Sequence, residues 1–301
     1  MSLPLFEKAG RFYKGNIHTH STVSDGHLPV EDVCRVYREA GYDFLAITDH
    51  FMKAYDYKIA DTRSCRTDEF TTIIGAELHT GETELGQLWH ILAVGLPLDF
   101  AKTGENETGP ELAQRAMQAG AFVAAAHPQW YTLTEADVIS LGDIHAIEIF
   151  NGTSVGHSDK AESWYMMDLM LARGRRYTAC ATDDAHFDPR RRDTLLGWVH
   201  VKADELTPDT LLEALKTGDY YSSTGPKIYD IDVYTGDKII VRCSPAERVY
   251  VTGIGWTSSY VSGNGLINVE LDISNFNSPY GRIVVRDDNG GRAWSNPFWF
   301  E

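Results

Sequence analysis

Basic residues are scarce. Lys and Arg total 27 against 43 Asp and Glu, a formal charge of −16 over 301 residues. A polyanion would be repelled before any base could be read, which excludes nucleic acid as a general partner and disfavours an anionic membrane surface. Cysteine is scarce too. Cys34, Cys65, Cys180 and Cys243 form no CxxC or other short-spaced pair, which argues against a disulfide framework or a cysteine zinc site and suits a reducing compartment. Long apolar runs are missing: nothing approaches the ~20 residues of a spanning helix. Residues 1–15, with Glu7, Lys8, Arg11 and Lys14, hold no apolar run long enough for a signal peptide. A cytoplasmic location is the expectation. Gly-rich nucleotide loops, a nucleophile elbow and a Ser-His-Asp order are also lacking.

What the sequence does have is core material and rhythm. Hydrophobic residues make up 43% of the chain, enough to exclude disorder. Strand-like runs lie at 16–20, 44–48, 72–77, 91–95, 121–126, 146–150, 177–182 and 198–202. Helix-spaced stretches at 29–40, 111–118, 135–141, 160–172 and 208–216 fall between many of them. Gly41, Gly120, Gly174 and Gly218 stand near the ends of such stretches, and Thr or Ser near several openings. The alternation predicts an α/β fold whose parallel strands close into a barrel. After Gly225-Pro226 the pattern becomes alternating runs separated by Thr235-Gly236-Asp237, Gly263-Asn264-Gly265 and Asp288-Asn289-Gly290-Gly291. The expected organisation is a barrel over residues 1–226 and a small all-β, sandwich-like domain over 227–301.

Chemistry gathers at the ends of the strand-like runs. His18-Thr19-His20 closes the first, with Asp25 soon after; Asp49-His50 closes the second and Glu77 the third. His127-Pro128 follows the fifth, and Asp183-Asp184-Ala185-His186 the seventh. Residues i and i+2 of a strand share a face, so His18 and His20 can aim at one place. A parallel barrel collects the carboxyl ends of its strands around one mouth. Imidazole plus carboxylate suits Zn, Mn or Fe, whereas Ca and Mg prefer oxygen shells. One ion takes three or four protein ligands. The pool of His18, His20, Asp25, His50, Glu77, His90, His127, Asp184 and His186 therefore implies two divalent ions or three, with Glu77 the natural bridge. Two ions ~3.5–4 Å apart acidify a bridging water and steady attacking and leaving oxygens, which is hydrolytic chemistry. A lone histidine is usually a core or surface residue, but buried charges at several strand ends need a partner.

Taken in order, His18-x-His20-x4-Asp25-Gly26, Thr48-Asp49-His50, Glu77, His90 before an apolar run, Ala126-His127-Pro128 and Asp184-Ala185-His186 resemble the polymerase and histidinol phosphatase (PHP) family. The resemblance covers roughly residues 13–225. The segment 218–226 is similar to the closing segment of stand-alone members, and Ala293-Trp294-Ser295-Asn296-Pro297 to the β extension of the carbaryl-hydrolase-related branch. The resemblance implies a distorted seven-stranded β/α barrel, a two- or three-metal centre and, usually, phosphoester hydrolysis. Carried over residue by residue, it implies one ion on His18, His20, Glu77 and Asp184, and a second on Glu77, His90 and His127. It implies a third on Asp25, His50 and His186. Many relatives have Ser or Gly-Ser where this chain has Thr182-Asp183; spacing to His186 favours Asp184 as the ligand. His90 stands at the start of its apolar run, so pattern alone would not select it.

Other polar residues carry weaker expectations. His79, two residues past Glu77, is expected to support the site, and His27, His145, His157 and His200 to be surface or supporting residues. Asp49 is expected to orient His50. Glu148, Asn151, Arg190 and Arg191 are candidates for substrate contact, the arginines through a bidentate grip on phosphate. A solvated loop explains the arginines equally well, as it does Arg63 and Arg66. The C-terminal aromatics Trp256, Tyr260, Tyr280, Trp294, Phe298, Trp299 and Phe300 are expected to pack the β domain and its seam. The functional expectation is a metal-dependent phosphoesterase for a small phosphorylated metabolite, with Glu77, Asp184 and His186 as catalytic residues. Hydroxide would attack phosphorus in line, and His186 or a water would protonate the leaving alkoxide. Two alternatives stay open: a carboxyl ester, amide or carbamate hydrolase on the same centre, and a non-catalytic metal-stabilised binding protein.

Overall fold

A computed structural model describes residues 3–6 and 8–300, so Met1, Ser2, Glu7 and Glu301 lie outside the described residues. The chain opens with β1 (Leu3–Pro4), β2 (Arg11–Asn16) and α1 (Val30–Glu39), whose Val33, Cys34 and Tyr37 face the core. The 44–51 stretch forms β3 (Phe44–Leu45) and β4 (His50–Phe51), and 71–82 forms β5 (Thr71–Thr72) and β6 (Gly75–Glu82). Next come β7 (Leu88–Val94), α2 (Gly109–Gln118), β8 (Phe122–Ala125), α3 (Glu135–Ser140) and β9 (Ala146–Asn151). α4 (Gly152–His157), α5 (Trp164–Ala172), β10 (Thr178–Thr182), β11 (Trp198–Ala203), α6 (Pro208–Thr217) and β12 (Tyr220–Ser223) complete this part. Thr108 and Thr134 cap α2 and α3 in reciprocal boxes with Glu111 and Asp137, satisfying amides that a helix start leaves free.

The result is a mixed α/β fold with two sheets. Six strands run in the order β10-β9-β8-β7-β6-β4. Pairing is parallel for β10 with β9, β9 with β8 and β6 with β4, but β7 is antiparallel to both neighbours. This corrects the expectation of uniformly parallel strands. The five residues 83–87 form a hairpin, where Thr83 N–H donates to the Gln87 carbonyl at 2.7 Å, and a parallel crossover needs about a dozen residues or more. The larger sheet takes β2, β3 and β5 through β11 and β12 into the C-terminal strands. The sheets meet where ligand-type residues lie. Thr19 and Ala185 form an isolated parallel bridge, and Asp184 N–H donates to the His18 carbonyl at 2.8 Å. Thr48 N–H reaches the Thr19 carbonyl at 2.8 Å, and Glu77 N–H the Thr48 carbonyl at 3.1 Å. His18 and His20 thus sit just beyond β2 rather than inside it, held by their neighbours' backbones.

Among the described residues no helix follows α6. The strands are β13 (Ile228–Tyr234), β14 (Lys238–Thr252), β15 (Ser258–Asp272), β16 (Tyr280–Arg286), β17 (Arg292–Ser295) and β18 (Phe298–Trp299). The long β14 pairs in two halves: residues 238–243 with β13 and 248–252 with β16. β15 follows it along its length, with register shifts on both sides of Ala246. Such bulges bend a strand, and here the sheet wraps an apolar cluster that includes Ile231, Val241, Val249, Leu271 and Val285. Gly263-Asn264-Gly265, expected as a turn, lies inside β15. Pairing of β12 with β17 and β1 with β13 crosses residue 226, and Phe6 and Tyr221 join the same cluster. Tyr280, Trp294 and Phe298 are buried as expected, but Trp256 is 94% exposed and Tyr260 59%. No described helix is long and apolar enough to cross a membrane.

Candidate metal centre

Alternation along β6 sends Ala76 and Leu78 into the apolar core and leaves Glu77 on the other face, itself fully buried. Glu77 Oε1 lies 2.7 Å from His90 Nδ1, 3.0 Å from His127 Nε2 and 3.7 Å from His18 Nε2. Its Oε2 lies 2.6 Å from His50 Nδ1, 3.5 Å from His79 Nε2 and 3.8 Å from His20 Nε2. Six imidazoles exceed what one carboxylate can serve. Asp184 Oδ1 stands 2.8 Å from His20 Nε2 and 3.3 Å from His18 Nε2. Asp25 Oδ1 stands 3.4 Å from His50 Nε2, 3.5 Å from His186 Nε2 and 4.0 Å from His20 Nδ1. Asp184 and His127 hold φ of +53° and +30°, a left-handed backbone that costs stability and is characteristic of positions where a side chain must be aimed.

These atoms fit metal ions. His18 Nε2, His20 Nδ1, His127 Nδ1 and Glu77 Oε2 are buried without a hydrogen-bond partner; the close contact of Glu77 Oε2 with His50 lacks hydrogen-bond geometry. Each such atom costs roughly 1–3 kcal/mol unless something binds it. Ligand atoms within 4.8 Å of one another form overlapping groups. These are His20, Asp25, His50 and His186; His18, His127 and Asp184; His18, His20 and Glu77; His50, Glu77 and His79; and Glu77, His90 and His127. A mixed nitrogen and oxygen set suits Zn, Mn or Fe. Burial pushes the His20 and His90 imidazoles down to about 3, so both keep lone pairs at neutral pH. Burial opposes charge on His50 as well, but Glu77 and Asp25 outweigh it and lift that imidazole to about 10.

Surrounding residues explain how the cluster is held. Glu148, fully buried, meets His18 Nδ1 at 2.8 Å and accepts from His127 N–H at 2.6 Å. The Asn151 amide donates to Glu148 and Asp184 at 3.1 Å each, while its oxygen caps α4 at Ser154. Asn151 is thus buried and fully engaged. His79 bridges His50 at 2.8 Å and the Trp89 carbonyl at 3.0 Å. Asp49 does not orient His50, which corrects that expectation. Its carboxylate accepts from the backbone and hydroxyl of both Ser21 and Ser24, at 2.6–3.1 Å, and so anchors the turn between His20 and Asp25. His90 lies within β7 rather than at its start, because Leu88 and Trp89 already belong to the strand.

A cavity of about 170 Å³ opens over Asp25, His50, Glu77, His90, His127, Asp184 and His186, and Trp130, Tyr131, Thr153, His157 and Arg191 share its lining. Arg190 is not among the lining residues; it grips Asp188 at 2.9 and 2.7 Å. Arg63 pairs with Asp61 and Arg66 donates to Thr72, also away from the cavity. Tyr131, set against His90 with ring centroids 4.0 Å apart, and Trp130 carried no motif in the sequence. Only their position just after His127-Pro128 hinted at them.

An α/β protein that gathers the nine expected metal-type side chains into one cluster, seven of them lining a single cavity, is built like a metalloprotein. The chain belongs to the PHP domain family, whose model matches residues 16–172. Among solved structures it is similar to a two-domain protein from Bacteroides vulgatus containing a predicted PHP-like metal-dependent phosphoesterase. That likeness is one of fold: 14% identity, 97% of this chain and 98% of that one covered, TM-score 0.53. Less of the chain, 67%, aligns with 95% of a protein from Bifidobacterium adolescentis assigned as a metal-dependent phosphoesterase, at 15% identity and TM-score 0.47. An amidohydrolase from Chromobacterium violaceum aligns over 57% of this chain and 87% of its own, at 15% identity and TM-score 0.43. No curated protein matches the chain.

Proposed function

We propose that the protein is a metal-dependent phosphoesterase acting on a small phosphorylated metabolite through two or three divalent ions. The observation that carries this reading is the Glu77-centred cluster at the floor of a small cavity whose lining includes one arginine, Arg191, and no lysine. His18, His20, Glu77 and Asp184 would hold one ion, Glu77, His90 and His127 another, and Asp25, His50 and His186, with His20 adjacent, a third. Bound there, such ions acidify a water and offset charge building on phosphoryl oxygens. The ring of hydrogen-bonded stretches from β2 round to β10, joined at Thr19 and Ala185, serves as the distorted seven-stranded barrel that presents them.

The chain's own residues do the rest. Arg191 keeps only a 3.7 Å contact with Asp188, whose carboxylate Arg190 already grips, so its guanidinium is available to a phosphate. Burial, then Glu77 and Asp184, push the Tyr131 hydroxyl up to about 12, which keeps it protonated as a donor at the cavity wall. The departing alkoxide takes its proton from His157. That imidazole lines the cavity and belongs to none of the ligand groups, whereas His186 faces Asp25 and meets the Asp184 carbonyl at 2.8 Å. A volume near 170 Å³ suits a phosphoryl group with a small leaving group.

Protein loaded with Zn, Mn or Fe and assayed on a broad phosphoester panel tests the proposal, with His20→Ala as control. Turnover well above the control is expected; none, with metals bound, overturns it. Trp130 and Tyr131 give one wall an apolar character that suits a carbonyl substrate. Hydrolysis of aryl carbamates or carboxyl esters with inert phosphoesters would move the assignment to that chemistry.

A further inference from the structure

A second cavity, of about 610 Å³, lies at the other end of β2 from the metal centre. Lys14, Asp43, Trp198, His200 and Lys227 are among its lining residues, with Arg11 at its edge. Lys14 stands four residues before His18, so the extended chain separates the two by roughly 13 Å. The second cavity therefore shares no lining residue with the first.

Its chemistry is one-sided. The Lys14 ammonium is wedged between two aromatic rings, 3.9 Å from the centroids of Tyr42 and Trp198, and among the described residues it has no hydrogen-bond acceptor and no ion-pair partner. Ring faces attract a cation but leave its N–H donors unserved. Lys227 has no ion-pair partner among the described residues either. The one carboxylate in the lining, Asp43, is already used: Oδ2 accepts from Lys14 N–H at 2.7 Å, and Oδ1 from Arg11 at 3.1 Å. Trp198 Nε1 can only donate, and it meets His200 Nε2 at 3.0 Å, so neutral His200 carries its proton on Nδ1 and is a donor. Lysines, an arginine and a donor imidazole thus line a cavity whose single carboxylate is already engaged. Burial is the main cause that drops Lys14 to about 8; Asp183 and Asp43 pull the other way, and Lys227 adds to the fall. This concentration of positive charge stands out in a chain of net charge −16.

We propose that this cavity is a binding site for a small phosphate-bearing anion, separate from the metal centre. The oxyanion would sit between Lys14 and Lys227, with Arg11 and His200 Nδ1 as further donors. The inference does not depend on what the metal centre hydrolyses.

Calorimetric titration of the metal-loaded protein with inorganic phosphate tests it, run on His20→Ala to remove the contribution of the metal centre and on the wild type. A saturable site is expected to survive in His20→Ala. Adding Lys227→Ser, an exposed position away from the core, is expected to weaken it about tenfold, the loss of one charge-assisted contact, and Lys14→Met at least as much. Lys227→Ser alone should leave metal content and the circular dichroism spectrum unchanged. Phosphate binding in His20→Ala that is unaffected by Lys227→Ser, or no saturable binding in His20→Ala when Lys227→Ser binds phosphate like the wild type, overturns the proposal.

Discussion

The site is a lesson in how a buried acid can act through its neighbours. Glu148 belongs to none of the ligand groups, yet it fixes the His18 ring through Nδ1 and the His127 backbone through its other oxygen. Partners of metal-bound imidazoles typically govern affinity by about 10–100-fold. Glu148→Gln should therefore lower metal affinity by about that range with an unchanged circular dichroism spectrum; metal titration with a chromogenic chelator would measure it, and wild-type affinity would refute the assignment. His157 makes a separate prediction. A general acid matters most for poor leaving groups, so His157→Asn should cut kcat about 100-fold on alkyl phosphates and far less on 4-nitrophenyl phosphate. Equal loss on both would remove His157 from that role. Much of this site was legible because His18, His20, Asp25, His50, Glu77, His127, Asp184 and His186 follow strand-like runs, and metal chemistry restricts residue type. Glu148 and Asp49 were singled out for other roles, substrate contact and orienting His50, and Tyr131 not at all, since a residue that supports others carries no spacing signature of its own.

Elements show the same division. Helix starts were readable where a side chain caps locally, as Thr108 and Thr134 do, but α4 was missed because its cap, Asn151, looks like the end of a strand. Strand direction was not readable for β7, which depends on the short Thr83–Gln87 hairpin, and the single bent β14 reads as two runs because Pro245-Ala246 breaks the alternation. Long-range ties were invisible as well. Asp183, beside a ligand residue in sequence, accepts from the amides of Leu195, Leu196 and Gly197 at 2.7–2.9 Å and from the Tyr37 hydroxyl at 2.7 Å. It fastens the entry of β11 and the face of α1 to the end of β10. Asp183→Ala would strand buried donors on two elements, at a cost on the order of 3 kcal/mol in urea unfolding. A change below about 0.5 kcal/mol, the level of an ordinary surface substitution, would show the loop to be held by something else.

Across the whole molecule, the expected boundary at residue 226 is crossed by β12–β17 pairing, and Asn296 ties the C-terminal strands to the Ala179 amide and the Gly218 and Tyr220 carbonyls. Arg282 adds paired bonds to Asp168 at 3.1 and 3.0 Å while lying 4.0 Å from the Trp164 ring. Residues 1–226 alone would expose the open edge of β12 and apolar Phe6 and Tyr221, so that fragment should aggregate while the full chain unfolds in one transition. A soluble, metal-binding fragment would establish two independent units. The same seam sets the acid response. His200, stacked on Tyr221 with centroids 4.7 Å apart, is held down to about 3 by burial and then by Lys14 and Lys227, against 6.5 for a free imidazole. Above pH 6.5 both folded and unfolded forms are neutral at this position and it has no pH effect. Between about 6.5 and 3 the unfolded chain binds the proton and the folded one does not, so stability falls as pH falls. At pH 4 the loss is on the order of 3 kcal/mol. His200→Gln keeps an acceptor for Trp198 but cannot titrate. The wild-type advantage over this variant, measured by urea unfolding, should therefore shrink steadily from pH 7 to pH 4, and a constant difference across that range would mean that another group drives acid unfolding.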